Sequence, residues 1–143
     1  MPNTESLGPL LAETAHCWRN KLDQRLKPLG VSQAKWRVLL HLNIARSDLT
    51  QKELSEKLGI EGPSLVRLLD RMEADGWVER HPSPVDRRAK TIHLTDKANT
   101  MIVEIKQVAA KLRKELLNNI SAAELATVTS VLQRIKQRTE EIN

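Results

Sequence analysis

Residues 50–72 read TQKELSEKLGIEGPSLVRLLDRM, and this stretch decides the fold. Thr50 precedes Glu53 by three residues, which is the spacing of a capping box and predicts the start of a short helix. Gly59 can take the left-handed conformation that ends such a helix. Pro63 then stands at a first helical position, where its missing N–H costs nothing. The stretch therefore predicts two short helices joined by a tight turn.

The second predicted helix is amphipathic. Its inward residues follow the spacing i, i+3, i+4, i+7 and are Leu65, Leu68, Leu69 and Met72. The opposite face then carries Ser64, Arg67 and Arg71. This arrangement is typical of a helix-turn-helix, whose second helix enters the DNA major groove, where an arginine can bind guanine O6 and N7 together. An ordinary helical hairpin with a solvated arginine face is the alternative.

A basic hairpin is predicted directly after this helix, over residues 79–94. Its tip reads VDRRAK, in which Arg87, Arg88 and Lys90 could reach a neighbouring minor groove. Asp86 is out of place at a DNA surface unless it has a structural role, so we expect it to pair with Arg88 and fix the shape of the hairpin. The alternative is a set of solvated charges. A helix-turn-helix followed at once by a basic hairpin is more specific than either part alone.

Helical periodicity predicts longer helices on both sides of this region. One covers residues 7–26, and a second starts after Ser32 and is expected to bury Ile44. A long helix follows Thr95, and a capping box at Ser121 opens the last one. The predicted order is four helices, two strands and two helices, which is a mainly α fold with a small β-wing.

Four segments of the sequence resemble a known family. LTQKELSEKLGIEGPSLVRLLDRMEADGWVER and DRRAKTIHLT resemble the MarR family of winged-helix regulators. The flanking segments LGPLLAETAHCWRNKLDQRLKPLGVSQAKWRVLLHL and ISAAEL resemble its SlyA branch. The resemblance covers nearly the whole chain, from Leu7 to about Ile142.

The resemblance implies a homodimeric transcriptional regulator, activator or repressor, that binds a pseudo-palindromic DNA duplex. It implies a winged helix-turn-helix over 32–95, flanked by dimerisation helices in 1–31 and 96–143 as one continuous unit. The recognition helix, 63–75, would enter the major groove, and the wing, 79–94, would lie at the minor groove. The resemblance matches Arg67 and Arg88 to the arginines of the recognition helix and the wing, Asp86 to the partner of Arg88, and Pro63 and Ser64 to the start of the recognition helix. With Arg71, Arg87 and Lys90 from the patterns above, they are the predicted DNA-binding residues. The terminal helices also show more apolar surface than one small winged helix can cover, which itself favours a two-fold dimer.

Many members of the family release DNA when a small aromatic acid binds between the dimer helices and the winged helix. The candidate lining residues in this chain are His16, Trp18, Arg19, Trp36, Arg37 and His41. The alternative places both tryptophans in the core and the charged side chains in solvent. His16 stands where the SlyA branch leads us to expect arginine. Peroxide-sensing relatives carry a reactive cysteine near Cys17, but their activating tyrosines are missing, so an inert, partly buried cysteine is expected.

Composition sets the remaining limits. The net charge of +5 suits an anionic partner such as nucleic acid, although a merely soluble basic protein would have the same charge. The single cysteine excludes an intrachain disulfide, and neither a signal peptide nor an apolar run of roughly 20 residues is visible, so a cytoplasmic location without membrane contact is expected.

The sequence favours neither an enzyme nor a cofactor or metal site. Its four histidines are scattered, and it shows neither a nucleophile–base pair nor a glycine-rich phosphate loop. Two further alternatives stay open. One is an architectural DNA-binding protein with little sequence preference, and the other is a helical protein-interaction module that does not bind DNA.

Overall fold

The computed structural model describes residues 3–143, which form six α-helices and three short strands. The helices are α1 (Leu7–Leu26), α2 (Gln33–Ile44), α3 (Gln51–Leu58), α4 (Gly62–Ala74), α5 (Asp96–Leu116) and α6 (Ala122–Glu141), and the strands are β1 (Leu49–Thr50), β2 (Val78–Pro82) and β3 (Lys90–Leu94). Contacts divide the chain within α5 into a unit that ends at Ala110 and a unit that starts at Lys111. The domain boundaries predicted after residues 31 and 95 separate dimerisation helices from the DNA-binding region. They stay predictions.

The predicted helix ends are confirmed. The Thr50 hydroxyl accepts from the Glu53 amide and the Glu53 carboxylate accepts from the Thr50 amide, both at 3.1 Å. Gly59 ends α3 with φ 65°. Pro63 follows Gly62 in the first turn of α4, where amides have no intrahelical partner. The capping box at Ser121 is also present.

The small sheet has the order β1-β3-β2, with both pairs antiparallel. Ile92 on the central strand pairs with Leu49 on one side and with Arg80 on the other. β1 is missing from the predicted order because two residues are too few to show strand periodicity. Gly76, with φ 80°, turns the chain from α4 into β2, and the Thr95 hydroxyl donates to its carbonyl at 2.6 Å. The base of the β2–β3 hairpin is thereby fixed to the end of α4.

The core of the first unit draws on all of its helices. Its most deeply buried side chains are Leu26, Val38, Leu39, Leu54, Leu65, Leu69, Met72, Val78 and Ile105. Each such side chain contributes roughly 1.5–3 kcal/mol by burial. The expectation that Ile44 is buried is wrong, because it is the last residue of α2 and its side chain is 67% exposed. The core therefore lies beneath α4 and holds that helix from one side.

The second unit contains the end of α5 and the whole of α6. α6 is 20 residues long, and none of them is buried in the described chain. Its exposed apolar side chains include Val128 and Leu132. Among residues 3–143, no helix combines the length and apolar character needed to cross a membrane.

Candidate nucleic-acid interface

The outer face of α4 has the arrangement predicted from the leucine spacing. Leu65, Leu68, Leu69 and Met72 are all buried. Arg67 and Arg71 are exposed, and Ser64 is half-buried. A guanidinium nitrogen of Arg67 donates to the Ser64 hydroxyl at 3.3 Å, which holds the arginine near the start of the helix. Arg67 thus offers a planar set of donors at the helix end that a major groove would admit first.

The first turn of α4 can also receive an anion. The residue before the helix, Glu61, makes no capping hydrogen bond with its side chain, and Pro63 has no amide hydrogen. The amides of Gly62 and Ser64 are therefore open to an external acceptor such as a phosphate oxygen, which the helix dipole also favours. Next along the helix, Val66 is 37% exposed, an apolar position that periodicity alone does not single out.

The tip of the hairpin is a closed loop stabilised by polar groups. Ser83 is only 7% exposed, and its hydroxyl accepts from the amides of Val85 and Asp86 at 3.3 and 3.4 Å. Its own amide donates to the Ala89 carbonyl at 2.9 Å. Ser83 is a residue that sequence reasoning missed. Its position between two prolines is the only signal in the sequence.

The predicted pairing of Asp86 with Arg88 is confirmed. One oxygen of Asp86 accepts from the Arg88 amide at 3.0 Å and from its Nε at 3.2 Å. An exposed ion pair of this kind adds about 0–1 kcal/mol to stability, so its main effect is to define the loop. The Arg88 side chain is 91% exposed, and Arg87 and Lys90 are exposed beside it. The hairpin thus presents two cations on a loop of fixed shape and a third, Lys90, at the start of β3.

A second ion network joins this hairpin to α4. Arg80, on β2, donates to Asp70 at 2.7 Å and to Glu73 at 2.8 and 3.2 Å through its guanidinium. Its backbone amide also donates to Glu73 at 2.9 Å. The side-chain hydrogen bonds with Arg80 lower the pKa of Glu73, and those with Glu73 raise the pKa of Arg80. Sequence reasoning missed this network because its members lie on different elements.

Comparisons with known proteins agree with this geometry. A model of the MarR family matches residues 29–89, from the turn before α2 to the hairpin tip. Wild-type MarR from E. coli, in its apo form, is 31% identical over 94% of this chain and 96% of that chain, with a TM-score of 0.71. The chain belongs to the MarR family.

Two further solved structures support this assignment. The transcriptional regulator PA3341 is 47% identical over 95% of this chain and 99% of that chain, with a TM-score of 0.87. A cysteine-to-serine mutant of E. coli MarR in complex with operator DNA is 29% identical, with a TM-score of 0.73, over 94% of this chain and 99% of that chain. The mainly α architecture with a small antiparallel sheet is the MarR winged-helix fold, as predicted.

The candidate effector residues of this MarR-family chain lie on α1 and α2 and serve different purposes. Trp36 is 4% exposed, and its Nε1 donates to Asp23 at 3.0 Å, so the alternative of a core tryptophan describes it. His16 is exposed and lies 3.0 Å from the Asn20 amide nitrogen. Trp18 is half-buried. That the whole set lines one effector site stays a prediction.

Among the candidate effector residues, Arg19 and Arg37 are the best suited to bind an anionic ligand. Burial, and then the charge of Arg19, lower the pKa of Arg37. A guanidinium nitrogen of Arg37 donates to the Leu58 carbonyl at 2.7 Å, and the Arg37 carbonyl lies 2.8 Å from Nδ1 of His41. Arg37 is half-buried and is affected by the positive charge of Arg19, and an anion bound beside it would offset that charge.

Two other expectations concern reactive or metal-binding groups. Cys17 is exposed rather than partly buried, because α1 buries only Leu22 and Leu26, both beyond this position. Within the described residues, no group of three histidine, cysteine or acidic side chains is placed to hold a metal ion.

Proposed function

We propose that this MarR-family protein is a sequence-specific transcriptional regulator that binds a pseudo-palindromic DNA duplex as a homodimer. The observation that carries the proposal is that α4 and the neighbouring hairpin expose their arginines while the leucines of α4 are buried. The operator complex of an E. coli MarR mutant supports DNA as the partner. The residues that resemble the SlyA branch support a place within it.

In this proposal, α4 reads base edges in the major groove. Arg67 hydrogen-bonds to guanine O6 and N7, and Ser64 and the open amides of the first turn bind phosphate. Val66 is placed to contact a thymine methyl group. Arg71, one turn after Arg67, binds the backbone. Base contacts supply specificity and phosphate contacts fix the register.

The hairpin acts as the wing. Arg87, Arg88 and Lys90 contact the minor groove and its phosphates, and Asp86 keeps Arg88 in place without touching DNA. Because these contacts are mainly electrostatic, they contribute affinity that depends on salt and little on sequence.

A second copy of the chain is the proposed partner of α6. α6 has exposed apolar side chains and buries none of its own residues. A two-fold dimer would bury these side chains against the same surface of a second subunit. Such a dimer would place two α4 helices about one DNA turn, roughly 34 Å, apart. A small aromatic carboxylate held by Arg19 and Arg37 is the proposed effector that releases DNA.

Selection from a random duplex library with the full-length protein tests the proposed function. We expect an enriched palindrome bound with a Kd on the order of 10⁻⁸ M at moderate salt. Equal affinity for enriched and random duplexes would instead identify an architectural protein. Retention on neither DNA nor heparin at physiological salt would identify a protein-interaction module.

Sedimentation of a Leu132→Asp variant tests the dimer. The expected result is a monomer whose winged helix is folded and whose affinity for the palindrome is much lower. Glu140→Gln, at an exposed position near the end of the same helix, is the control and should leave the dimer intact. A dimeric Leu132→Asp protein would contradict the assignment of α6 to the interface.

A further inference from the structure

We propose that Arg80 is a positioning residue that holds the wing at a fixed angle to the recognition helix, so that the two contact DNA as one rigid reader. The inference rests on the proposed function, since it concerns how α4 and the wing act together. Arg80 touches neither groove in that proposal. Its side chain is 19% exposed and forms ion pairs with Asp70 and Glu73.

The geometry of β2 explains why this contact fixes an orientation. β2 is an edge strand, because only β3 pairs with it. The Arg80 amide on this strand donates to Glu73 at 2.9 Å, so the recognition helix takes the place that a further strand would occupy. The guanidinium then spans Asp70 and Glu73, one turn apart on α4. Backbone and side chain of one residue are thus bound to the same helix.

The hairpin consequently has two attachments to α4. The first is at its base, where the Thr95 hydroxyl donates to the Gly76 carbonyl. On its other side the hairpin is held by the sheet, because β3 pairs with β1 at Leu49 and Thr50. The second attachment to α4, at Arg80, fixes the edge strand β2, and any movement of that strand would be magnified at the tip, where Arg88 lies. Glu73 and Arg80 also line a groove of about 390 Å³ together with Gln51, Val66 and Lys90.

The network also has a consequence for binding. A wing already held in place loses little conformational freedom when it contacts DNA, whereas a loose wing must be ordered at that moment. Arg88 can therefore contribute its full effect only while Arg80 is bound to α4. This coupling distinguishes a positioning role from simple stabilisation of the fold, because loss of folded protein would scale every affinity alike.

Arg80→Lys is the decisive variant, since it keeps the positive charge but replaces the planar fork by a single ammonium group. Arg46→Lys, in the exposed loop before β1, is the matched control. We expect Arg80→Lys to weaken binding of the selected duplex by about fivefold, in keeping with the loss of part of a charge-assisted network. Arg46→Lys should bind as the parent does. Arg80→Gln provides a second variant in which the charge is removed as well.

A double-mutant cycle supplies the critical readout. Arg88→Ala should weaken binding about tenfold in the parent and less than about threefold in the Arg80→Lys background, in line with the size of a single charged contact. Equal losses in both backgrounds would overturn the proposal. So would an Arg80→Lys protein that binds as the parent does while Arg80→Gln does not, because Arg80 would then act through its charge alone.

Hydrogen exchange on the DNA-free proteins gives an independent reading. Amides of residues 78–94 should exchange faster in Arg80→Lys, while those of α5 and α6 keep their rates. Unchanged exchange in the hairpin would overturn the proposal. If the parent protein selects no duplex, the proposed function is wrong, whereas this exchange comparison still decides whether Arg80 holds the hairpin to α4.

Discussion

The recognition helix and the wing tip are held in shape by different forces. α4 lies on four buried apolar side chains, and Leu69 and Met72 are completely inaccessible to solvent. The loop of residues 83–89 is held instead by hydrogen bonds around the Ser83 hydroxyl and the Asp86 carboxylate, with most of its side chains exposed. The recognition helix is therefore preorganised by apolar packing, and the wing tip is preorganised by hydrogen bonds.

This difference teaches what each region can tolerate. Apolar burial is lost only when the domain unfolds, so α4 should share the global stability of its unit. Hydrogen bonds near the surface can open locally, so the tip should exchange its amides faster than α4 does. A specific base contact requires a rigid support, whereas contacts to phosphates and to a groove of variable width tolerate some adjustment.

The largest effect is expected from a cavity beneath the recognition helix. Leu69→Ala removes a completely buried side chain and should reduce the free energy of unfolding by about 2–5 kcal/mol, as measured by denaturant titration. Val66→Ala, at a partly exposed position of the same helix, is the control and should change it by no more than about 0.5 kcal/mol. Equal losses would show that α4 is not supported by packing as described.

Removing one base-reading group should come next in size. Arg67→Ala should cost about 1–3 kcal/mol of binding free energy and relax the preference at one base pair, as measured by titration of the selected duplex and its single-base variants. Arg88→Ala should weaken binding more uniformly across sequences, because the wing contacts the backbone and the narrow groove. Binding by both variants at the affinity of the parent would contradict this account of readout.

A smaller effect should follow from opening the wing tip. Ser83→Ala removes the acceptor of two backbone amides and should reduce stability by about 1 kcal/mol, with faster hydrogen exchange confined to residues 83–89. Ser47→Ala, in the exposed loop before β1, is the matched control. If exchange at the tip stays slow in Ser83→Ala, then the loop is held by something other than this hydroxyl.

Local sequence signals predicted α4 and its ends, and also one contact of the tip. Leucine spacing, the capping box at Thr50 and the left-handed Gly59 all act within a few residues. The pairing of Asp86 with Arg88 spans only two residues and was confirmed for the same reason. Interactions between residues so close in the chain depend only on helix and turn geometry. They can therefore be predicted from the sequence without knowing the fold.

Contacts that need the assembled fold could not be predicted. Arg80 meets Asp70 ten residues earlier only after Gly76 has reversed the chain. Ser83 becomes buried only once the register of the hairpin is fixed. Ile44 has the apolar character of a core residue, but its exposure depends on where α2 ends and the chain turns towards β1. The sequence thus predicted the recognition helix and the wing, but it did not predict the contact of Arg80 that joins them.

The smallest effect concerns the pH dependence of that contact. Because hydrogen bonds from Arg80 lower the pKa of Glu73 below its ordinary 4.5, the stabilisation is present above pH 4.5 and is lost as the pH falls through the lowered value. Parent and Glu73→Gln should therefore differ in stability at pH 6 and converge as the pH falls below 4.5, in thermal unfolding followed by circular dichroism. Glu56→Gln, on the exposed side of α3, controls for the removal of one carboxylate. A difference between parent and Glu73→Gln that does not change with pH would mean that the Glu73 charge contributes nothing to the contact, and that the hairpin is held to α4 by the shape of the network alone.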